Sequence, residues 1–286
     1  MLRRSFAAMG TEVELFLDAD ESAASLLDDG ERELRRLEDL LSRFRPDSEL
    51  SRLNRAGALR VGPELLELAR LSLEARACTA GRFDPTVHDA LAAAGYDRSF
   101  ELLEEDRPGA PRGGAPCGGG ITVDAVTSTV ALEHGFRLDL GGIAKGWAVD
   151  RVLSLLSEGG PSLVNAGGDV AAAGRPWPVG VETPAASITL ELDGGALATS
   201  GRDRRTWRRS GREHHHLVDP STGLPAAGDL LRVTAAAPTA ADAEVLAKAL
   251  FLAGDAGRAA AEADEGGVPA VLVSCDGTTT LAGGLG

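Results

Sequence analysis

Segments with two different hydrophobic periods alternate along this 286-residue chain, and this alternation restricts it to the mixed fold classes. Residues 11–17 alternate apolar and acidic side chains, which predicts a half-buried strand. Residues 20–44 place leucines on one helical face, and a second helix is predicted from Pro63 to Gly81. Further strands are predicted at residues 121–126, 136–140, 162–165, 188–192, 231–236 and 270–274, and helices at 144–157 and 240–253. The predicted class is α+β (mixed α/β), with an unstructured loop from Arg107 to Gly120.

Composition supports one compact unit. Hydrophobic residues make up 43% of the chain and charged residues 25%, enough for one sizeable core or two closely packed lobes. No long linker or internal repeat divides the sequence, so a single domain over residues 1–286 is predicted. The formal net charge of −14 repels polyanions and argues against a nucleic-acid partner. A small dinucleotide is still compatible, because local N–H groups and a few basic side chains can bind it.

Three cysteines, Cys78, Cys117 and Cys275, leave at least one thiol unpaired and lack metal-ligand spacing, which favours a reducing compartment. Residues 1–10 hold no apolar run of the ~7–15 residues that a secretory signal needs. No stretch approaches the ~20 apolar residues of a membrane span. These observations predict a cytoplasmic protein without a membrane partner.

A strand, a glycine pair and a helix are predicted in succession between Leu138 and Asp150. Backbone N–H groups at such a turn, aided by the helix dipole and by Lys145, can bind a phosphate. The spacing matches neither the dinucleotide nor the P-loop fingerprint, so a plain tight turn explains the glycines equally well. A second glycine turn, Asn165 to Asp169, either fixes itself through side-chain hydrogen bonds or faces a ligand.

Basic and imidazole side chains are concentrated after Ser200 and Gly201. Six arginines lie between residues 202 and 212, a pattern typical of a solvated hairpin that can also clamp phosphates. Three consecutive histidines follow; alternation along a strand prevents them from forming one three-ligand metal site. His216 with Asp219 three residues later is suited to general-base chemistry, though the pair alone is a weak signal.

The last long helix begins with polar residues that have an ordinary structural role. Thr239 is a plausible N-cap, and Asp242 and Glu244 complement the helix dipole. Glu244 and Lys248 form an i,i+4 pair worth about 0.2–0.5 kcal/mol on an exposed helix.

Taken in order, these segments closely resemble the ApbE family of FAD:protein FMN transferases, over residues 9–254. The matching motifs are Met9-Gly-Thr11, Ser42-Arg-Phe44, Ser48-Glu-Leu-Ser51 with Asn54, Gly81-Arg-Phe-Asp-Pro-Thr-Val87, Asp139-Leu-Gly-Gly-Ile-Ala-Lys-Gly146, Asn165-Ala-Gly-Gly-Asp169, Thr199-Ser-Gly201 and His216-Leu-Val-Asp-Pro220 with Gly223.

The resemblance implies two closely packed lobes with FAD bound between them as a substrate. His216, with Asp219, would activate a Thr or Ser hydroxyl of a separate acceptor protein, which receives FMN while AMP leaves. A Mg²⁺ ion beside the pyrophosphate would stabilise the leaving group, with the Ala144 carbonyl as one ligand. The residues implied in FAD binding are Met9, Gly10, Thr11, Phe83, Asp84, Pro85, Thr86, Asp139, Gly141, Gly142, Lys145, Asn165, Gly167, Gly168, Asp169, Ser200 and Gly201.

The metal positions depart from the family pattern. The family has Asp and Thr where this chain has Glu244 and Lys248; a Glu can bind a hard cation, whereas a protonated Lys cannot. Lys248 could occupy the place of the cation, and another register would put Asp242 at the site. Two alternatives to FMN transfer therefore stay open: hydrolysis of FAD to FMN and AMP, and non-catalytic FAD binding.

Overall fold

The computed structural model describes residues 1–103, 106–107, 113–209 and 211–285. Its α-helices are α1 (Ala24–Leu41), α2 (Glu49–Ala56), α3 (Pro63–Cys78), α4 (His88–Ala94), α5 (Ala144–Leu156), α6 (Ala240–Phe251) and α7 (Ala256–Gly266), with short 3₁₀ helices at Glu21–Ala23 and Phe100–Leu102. Its strands are β1 (Leu2–Ala8), β2 (Thr11–Leu17), β3 (Ala58–Arg60), β4 (Asp106–Arg107), β5 (Ile121–Asp124), β6 (Thr129–Leu132), β7 (Ser162–Ala166), β8 (Asp169–Ala173), β9 (Trp177–Glu182), β10 (Ser187–Leu192), β11 (Gly195–Gly201), β12 (Thr206–Arg209), β13 (Arg212–His215), β14 (Val218–Asp219), β15 (Leu224–Pro225), β16 (Leu230–Ala237), β17 (Ala270–Ser274) and β18 (Thr279–Ala282).

The chain folds into two compact units. Unit 1 consists of residues 1–38, 143–201 and 228–286, and unit 2 of residues 39–142 and 202–227. Both units are discontinuous in sequence, so the chain passes four times from one to the other. The single domain expected over residues 1–286 stays a prediction.

Unit 1 is built on an eight-stranded antiparallel sheet. Its strand order is β1-β2-β7-β8-β11-β16-β17-β18, so strands distant in sequence are neighbours at its centre. Helix α5 packs against β7 and β8, α6 against β11 and β16, and α7 against β17 and β18. Because successive strand residues point to opposite faces, β2 presents Leu15 to the helices and Phe16 to the other face. There Phe16 packs with the β9–β10 hairpin around Trp177, which makes three layers.

Unit 2 combines α2, α3 and α4 with short strands. Its sheets have the orders β3-β6-β5, β13-β12-β4 and β14-β15. The rings of Tyr96 and Trp207 are 5.5 Å apart at the centre of one core cluster, and the Trp207 indole N–H donates to the Ala94 carbonyl at 2.9 Å. This core joins the β12–β13 hairpin to α4.

Most predicted elements are present, and one is wrong. The segment 136–140 is not a strand, because the Asn54 side chain binds both backbone groups of Leu138: Nδ2 donates to the carbonyl at 2.8 Å and Oδ1 accepts from the N–H at 2.7 Å. A side chain thus takes the place of a neighbouring strand. Of the loop expected from Arg107 to Gly120, residues 108–112 lie outside the described residues, and residues 113–120 carry neither helix nor strand. In the part of the chain that the structure describes, no helix is both long and apolar enough to cross a bilayer.

Candidate functional site

Two glycine-containing hairpin turns of unit 1 lie against each other. Met9 and Gly10 form the two-residue turn between β1 and β2, with φ of 54° and 68°. Gly167 and Gly168 form the matching turn between β7 and β8, with φ of 64° and 104°. A Cβ added to Gly167 would lie 2.0 Å from Thr11 Oγ1, so only glycine allows this approach. The contact brings two of the predicted FAD-binding segments together.

Asn165 stabilises the second turn from within. Its Oδ1 accepts the Gly168 N–H at 3.2 Å, and its Nδ2 donates to Glu14 at 3.4 Å. The side-chain hydrogen bond is the turn-fixing role that the sequence allowed. Thr199, just before Ser200 and Gly201 at the end of β11, lies beside Gly168, with 3.6 Å from its Cβ to a Cβ built on the glycine. Ser200 and Gly201 therefore end a strand beside this turn.

A buried charged cluster follows the turn. Asp169, the first residue of β8, is 1% exposed, and its carboxylate forms an ion pair with the Lys145 ammonium. Lys145 Nζ also lies 3.8 Å from Glu244 Oε1 on α6. Burial raises the pKa of Asp169, a shift opposed chiefly by Lys145 and increased by Glu244. We name Lys145, Asp169, Glu244 and Lys248 the lysine–carboxylate cluster.

The N-terminal ends of α5 and α6 hold this cluster in place. Gly146 has no room for a side chain, since an added Cβ would lie 2.3 Å from the Ala240 carbonyl oxygen. At this crossing Asp150 on α5 accepts the N–H groups of Ala240 and Ala241 at 2.7 and 3.0 Å. Each helix thus contributes to the first turn of the other.

The residues expected to bind Mg²⁺ do not fit a hard divalent cation. Such an ion needs about six oxygen ligands, whereas the Lys248 ammonium has no lone pair to give. Glu244 Oε2 already accepts the Gly146 N–H at 3.0 Å, and Lys145 lies beside both carboxylates. Among residues 1–103, 106–107, 113–209 and 211–285, no group of three or more His, Cys, Asp or Glu side chains is arranged to hold a metal.

In unit 2, the predicted segment Phe83–Thr86 is a rigid turn before α4. Asp84 Oδ1 accepts both the N–H and the hydroxyl of Thr86, at 2.8 and 2.7 Å. The Thr86 hydroxyl oxygen in turn accepts the N–H groups of Gly118 and Gly119 at 2.9 and 3.2 Å. The Pro85 carbonyl accepts the Asp139 N–H at 2.8 Å. These bonds join three loops of unit 2, and Asp84 and Thr86 are buried by them.

Asp139 anchors the segment that leads to Gly141 and Gly142. Its Oδ2 lies 2.6 Å from Arg43 Nε, with both side chains 7% exposed, and its Oδ1 accepts the Gly141 N–H at 2.8 Å. The Arg43 guanidinium also stacks over the rings of Phe44 and Tyr96, at 4.2 and 4.6 Å from their centroids. A cleft of about 270 Å³ opens beside this pair, with Arg43, Phe44, Asn54, Arg55, His88 and Arg137 in its lining.

His216 lies in a bend directly after β13, and its neighbour His215 is buried in unit 2. The His215 ring pairs through Nε2 with the Ala226 carbonyl at 3.0 Å and accepts the Leu217 N–H at Nδ1 at 3.3 Å, which requires the neutral Nε2–H tautomer. Asp219 Oδ1 accepts the N–H and hydroxyl of Ser221 at 2.9 and 2.7 Å. The Asp219 carboxylate thus shapes the turn that follows His216.

Comparisons with known proteins identify the family of the chain. A model of the ApbE family matches residues 9–272. The chain belongs to the ApbE family. Its structure resembles the crystal structure of the ApbE protein from Thermotoga maritima, with a TM-score of 0.85, 27% identity and coverage of 98% of this chain and 96% of the other.

Further ApbE relatives show the same similarity. The flavinyl transferase ApbE of Pseudomonas stutzeri, in its apo form, has a TM-score of 0.80 and 25% identity, covering 98% of this chain and 94% of its own. The FAD:protein FMN transferase of Treponema pallidum is 28% identical over 284 residues, which is 88% of this chain and 78% of the relative. These comparisons confirm the resemblance inferred from the motifs.

Two residues have structural roles that no local sequence pattern indicates. Arg43 lies inside the Ser42-Arg-Phe44 motif, but its partner Asp139 is 96 positions away. In the sequence, Asp150 is one polar residue among others on a predicted helix, and only the packing of α6 against α5 shows that it accepts an N–H from α6. Neither pairing leaves a local pattern, because both depend on tertiary packing.

Proposed function

We propose that this chain transfers the FMN moiety of FAD to a Thr or Ser hydroxyl of a target protein and releases AMP. The observation that carries the proposal is the match of the ApbE family model over residues 9–272, a range that includes the glycine turns and the His216 segment. Two relatives bear the name FAD:protein FMN transferase, from Treponema pallidum and Vibrio cholerae. Each of them is matched over more than three quarters of its length.

The turns of unit 1 are suited to binding the phosphates of FAD. The glycines at 167 and 168 place no side chain in the way of a ligand, and Asn165 fixes the turn by accepting the Gly168 N–H. The Lys145 ammonium, paired with Asp169 directly after that turn, lies beside it. A prearranged turn binds a ligand without a further ordering step, which favours affinity.

The chemical step requires a base and a leaving group. His216 accepts the proton of the acceptor hydroxyl while the oxygen of that hydroxyl bonds to the FMN phosphorus. The bond from this phosphorus to the bridging oxygen of the pyrophosphate breaks. The bridging oxygen departs with AMP, so the acceptor carries a phosphodiester-linked FMN. The buried, hydrogen-bonded His215 and the Asp219 turn hold the chain on either side of His216.

Mass spectrometry of an acceptor protein tests the proposal. The chain is incubated with FAD and a protein that carries an Asp-Gly-x-Thr flavin-acceptor motif, once with EDTA and once with Mg²⁺ or Mn²⁺. An FMN-sized mass increase on the acceptor Thr, with an equal amount of AMP, is the expected result. His216→Gln should slow this step by about 10²–10⁴-fold. The exposed His134→Gln is the matched control.

Other products would contradict transfer. FMN and AMP appearing at the same rate without acceptor would indicate hydrolysis of FAD. Intact FAD after long incubation with every cation and acceptor would indicate a flavin-binding protein without catalysis.

A further inference from the structure

The His215 ring closes a hydrogen-bonded bridge across the residue that follows it. Its Nδ1 accepts the Leu217 N–H at 3.3 Å, and its Nε2 donates to the Ala226 carbonyl at 3.0 Å. The Ala226 N–H donates in turn to the Leu217 carbonyl at 2.8 Å. Three hydrogen bonds therefore join residues 215, 217 and 226, and His216 lies between the first two of them. We name this arrangement the His215 bridge.

The bridge is buried inside unit 2. His215, Leu217 and Ala226 are 7%, 1% and 8% exposed, so water has little access to replace a hydrogen bond that is lost there. Strands β14 and β15 pair directly behind the bridge and extend it as a short antiparallel ladder. Burial also lowers the pKa of His215, which favours the neutral ring that is able to accept a hydrogen bond at Nδ1.

This bridge restrains the backbone of His216 from both sides. The course of the chain through a residue depends on two dihedral angles, which the peptide planes before and after it define. The plane before His216 follows His215, the last residue of β13, which is paired with Thr206 of β12. The plane after His216 carries the Leu217 N–H that the His215 ring holds. Both dihedral angles of His216 are restrained, and with them the direction in which its side chain leaves the backbone.

We propose that His215 is a positioning residue, whose ring holds the peptide planes on both sides of His216 and thereby orients the His216 imidazole toward the acceptor hydroxyl. The inference rests on the proposed function, because it takes His216 as the general base. A base held in one direction is more often within the ~3–3.5 Å that a reacting pair needs than a mobile one is. His215 acts through His216 alone, and no bond to a substrate forms or breaks at its ring.

Two variants of His215 separate the hydrogen bond from the burial of the ring. His215→Phe keeps a ring in the buried position and removes both of its hydrogen bonds. The kcat of FMN transfer should fall by about 10–100-fold, while KM for FAD stays within about twofold, because the orientation of the base affects the chemical step. His215→Asn places Oδ1 close to the position of Nδ1, where it can accept the Leu217 N–H. This variant should recover kcat to within about threefold of wild type.

A core variant is the control for a purely structural loss. Leu68 is fully buried on α3, which packs against β5 and β6 of the same unit. Leu68→Ala should lower the urea midpoint of unfolding and leave kcat within about twofold of wild type, measured where the variant is folded. His215→Asn should also lower the midpoint, because it gives up the bond to the Ala226 carbonyl, and yet keep its kcat. Stability and kcat should thus change independently.

A second measurement on the bridge requires no turnover. In nitrogen-15 spectra near neutral pH, the His215 ring, identified by its loss in His215→Asn, should carry its proton on Nε2 and none on Nδ1. Amide hydrogen exchange followed by mass spectrometry reports the other half of the bridge. The Leu217 and Ala226 amides should exchange about tenfold faster or more in His215→Phe, and Leu217 should be protected again in His215→Asn.

The outcomes separate this inference from the proposed function. The inference is wrong if the proton of the wild-type ring lies on Nδ1, if His215→Phe keeps the wild-type kcat, or if Leu68→Ala loses as much kcat at equal stability. It is also wrong if His215→Asn protects Leu217 and is still as slow as His215→Phe. FMN transfer by the wild-type chain can hold in all these cases. A wild-type chain with an intact bridge that forms no FMN adduct would instead overturn transfer, and with it the role of His215 in that step.

Discussion

Glu244 on α6 accepts the backbone N–H of Gly146 on α5 at 3.0 Å. The bond has a counterpart in the opposite direction, since Asp150 on α5 accepts two N–H groups from the first turn of α6. Free N–H groups at a helix start need partners, and here each helix satisfies part of the other's need. This exchange fixes the position of the lysine–carboxylate cluster, whose members come from both helices and from β8.

The exchange predicts a stability effect at Asp150. Asp150→Ala would leave the N–H groups of Ala240 and Ala241 buried without their acceptor, which should lower the free energy of unfolding by about 1–3 kcal/mol. Asp150→Asn keeps one acceptor oxygen and should lose less. Urea denaturation measures both, with the exposed Ser154→Ala on the same helix as control. Equal stability of Asp150→Ala and wild type would show that the bonds contribute nothing.

Alanine variants of Gly167 and Gly267 distinguish the cost of a steric collision from the cost of backbone strain. Their φ values are 64° and 60°, so alanine at either position should cost about 1–2 kcal/mol through the left-handed conformation. Only Gly167→Ala adds a collision, with Thr11 Oγ1, whereas a Cβ on Gly267 meets no atom within 4 Å. Thermal unfolding should therefore rank Gly167→Ala well below Gly267→Ala, and FAD affinity should fall in Gly167→Ala alone. Similar melting temperatures would contradict the close approach of the two turns.

The buried ion pair of Arg43 and Asp139 predicts a strong asymmetry between variants. Arg43→Met leaves the Asp139 carboxylate buried and uncompensated, which should cost about 3–5 kcal/mol of unfolding free energy. In Arg43→Met/Asp139→Asn the charge is gone from both sides, so much of this loss should be recovered. Arg45→Met removes a pair with Asp39 that is exposed on both sides and should cost less than about 1 kcal/mol. Additive losses in the double variant would argue against direct coupling.

His215 predicts a loss of stability at acidic pH. Burial lowers its pKa in the folded chain, and the Ala226 carbonyl hydrogen bond opposes this shift only in part. As the pH falls below about 6.5, the unfolded chain binds a proton at this histidine, whereas the folded chain, with its lower pKa, does not yet bind one. The free energy of unfolding therefore decreases by up to about 1.4 kcal/mol per pH unit. The contribution of His215 to stability is complete above its pKa in the unfolded chain and is lost as the pH falls toward its lower pKa in the folded chain.

Denaturant titrations between about pH 7 and 5 measure this slope. His215→Gln should flatten it, and the exposed His134→Gln should reproduce the wild-type slope. His88, whose pKa burial also lowers, accounts for part of what remains. An unchanged slope in His215→Gln would contradict the neutral buried ring.

Local chemistry made much of the fold predictable. Pro63 begins α3, and Thr239 caps α6 by accepting the Asp242 N–H, both as expected from the sequence. The strand β1 was missed because its polar and apolar residues resemble a surface segment until β2 pairs with it. The strand expected at 136–140 failed because Asn54, more than 80 residues away, binds Leu138. Hydrophobic period identifies elements, but it carries no information on which distant side chain will satisfy a backbone group.

Some features of the candidate site were also predictable from the sequence, and others were not. The glycine turn from Asn165 to Asp169 was predicted, and Gly167 has a positive φ that favours glycine, whereas Gly10 entered only through the family motif. The ion pair of Lys145 and Asp169 was not predicted. It joins a residue of α5 to a residue of β8, and no local sequence pattern indicates that the two meet. Strand alternation predicted His214 and His216 on one face and His215 on the other. Strand β13 ends at His215, which is buried, whereas His214 is only partly buried.

The discontinuous units set the order in which the polypeptide can mature on the ribosome. All of unit 2 has been synthesised once residue 227 is added, whereas unit 1 still lacks β16, a central strand of its sheet, along with α6 and its half of the lysine–carboxylate cluster. At about 5–20 residues per second, the remaining segment takes several seconds to appear. During that interval β11 has an unpaired edge, the kind of surface that nascent-chain chaperones protect. Neither unit can be expressed as one continuous fragment, so truncation cannot isolate them, and only a rearranged gene order would.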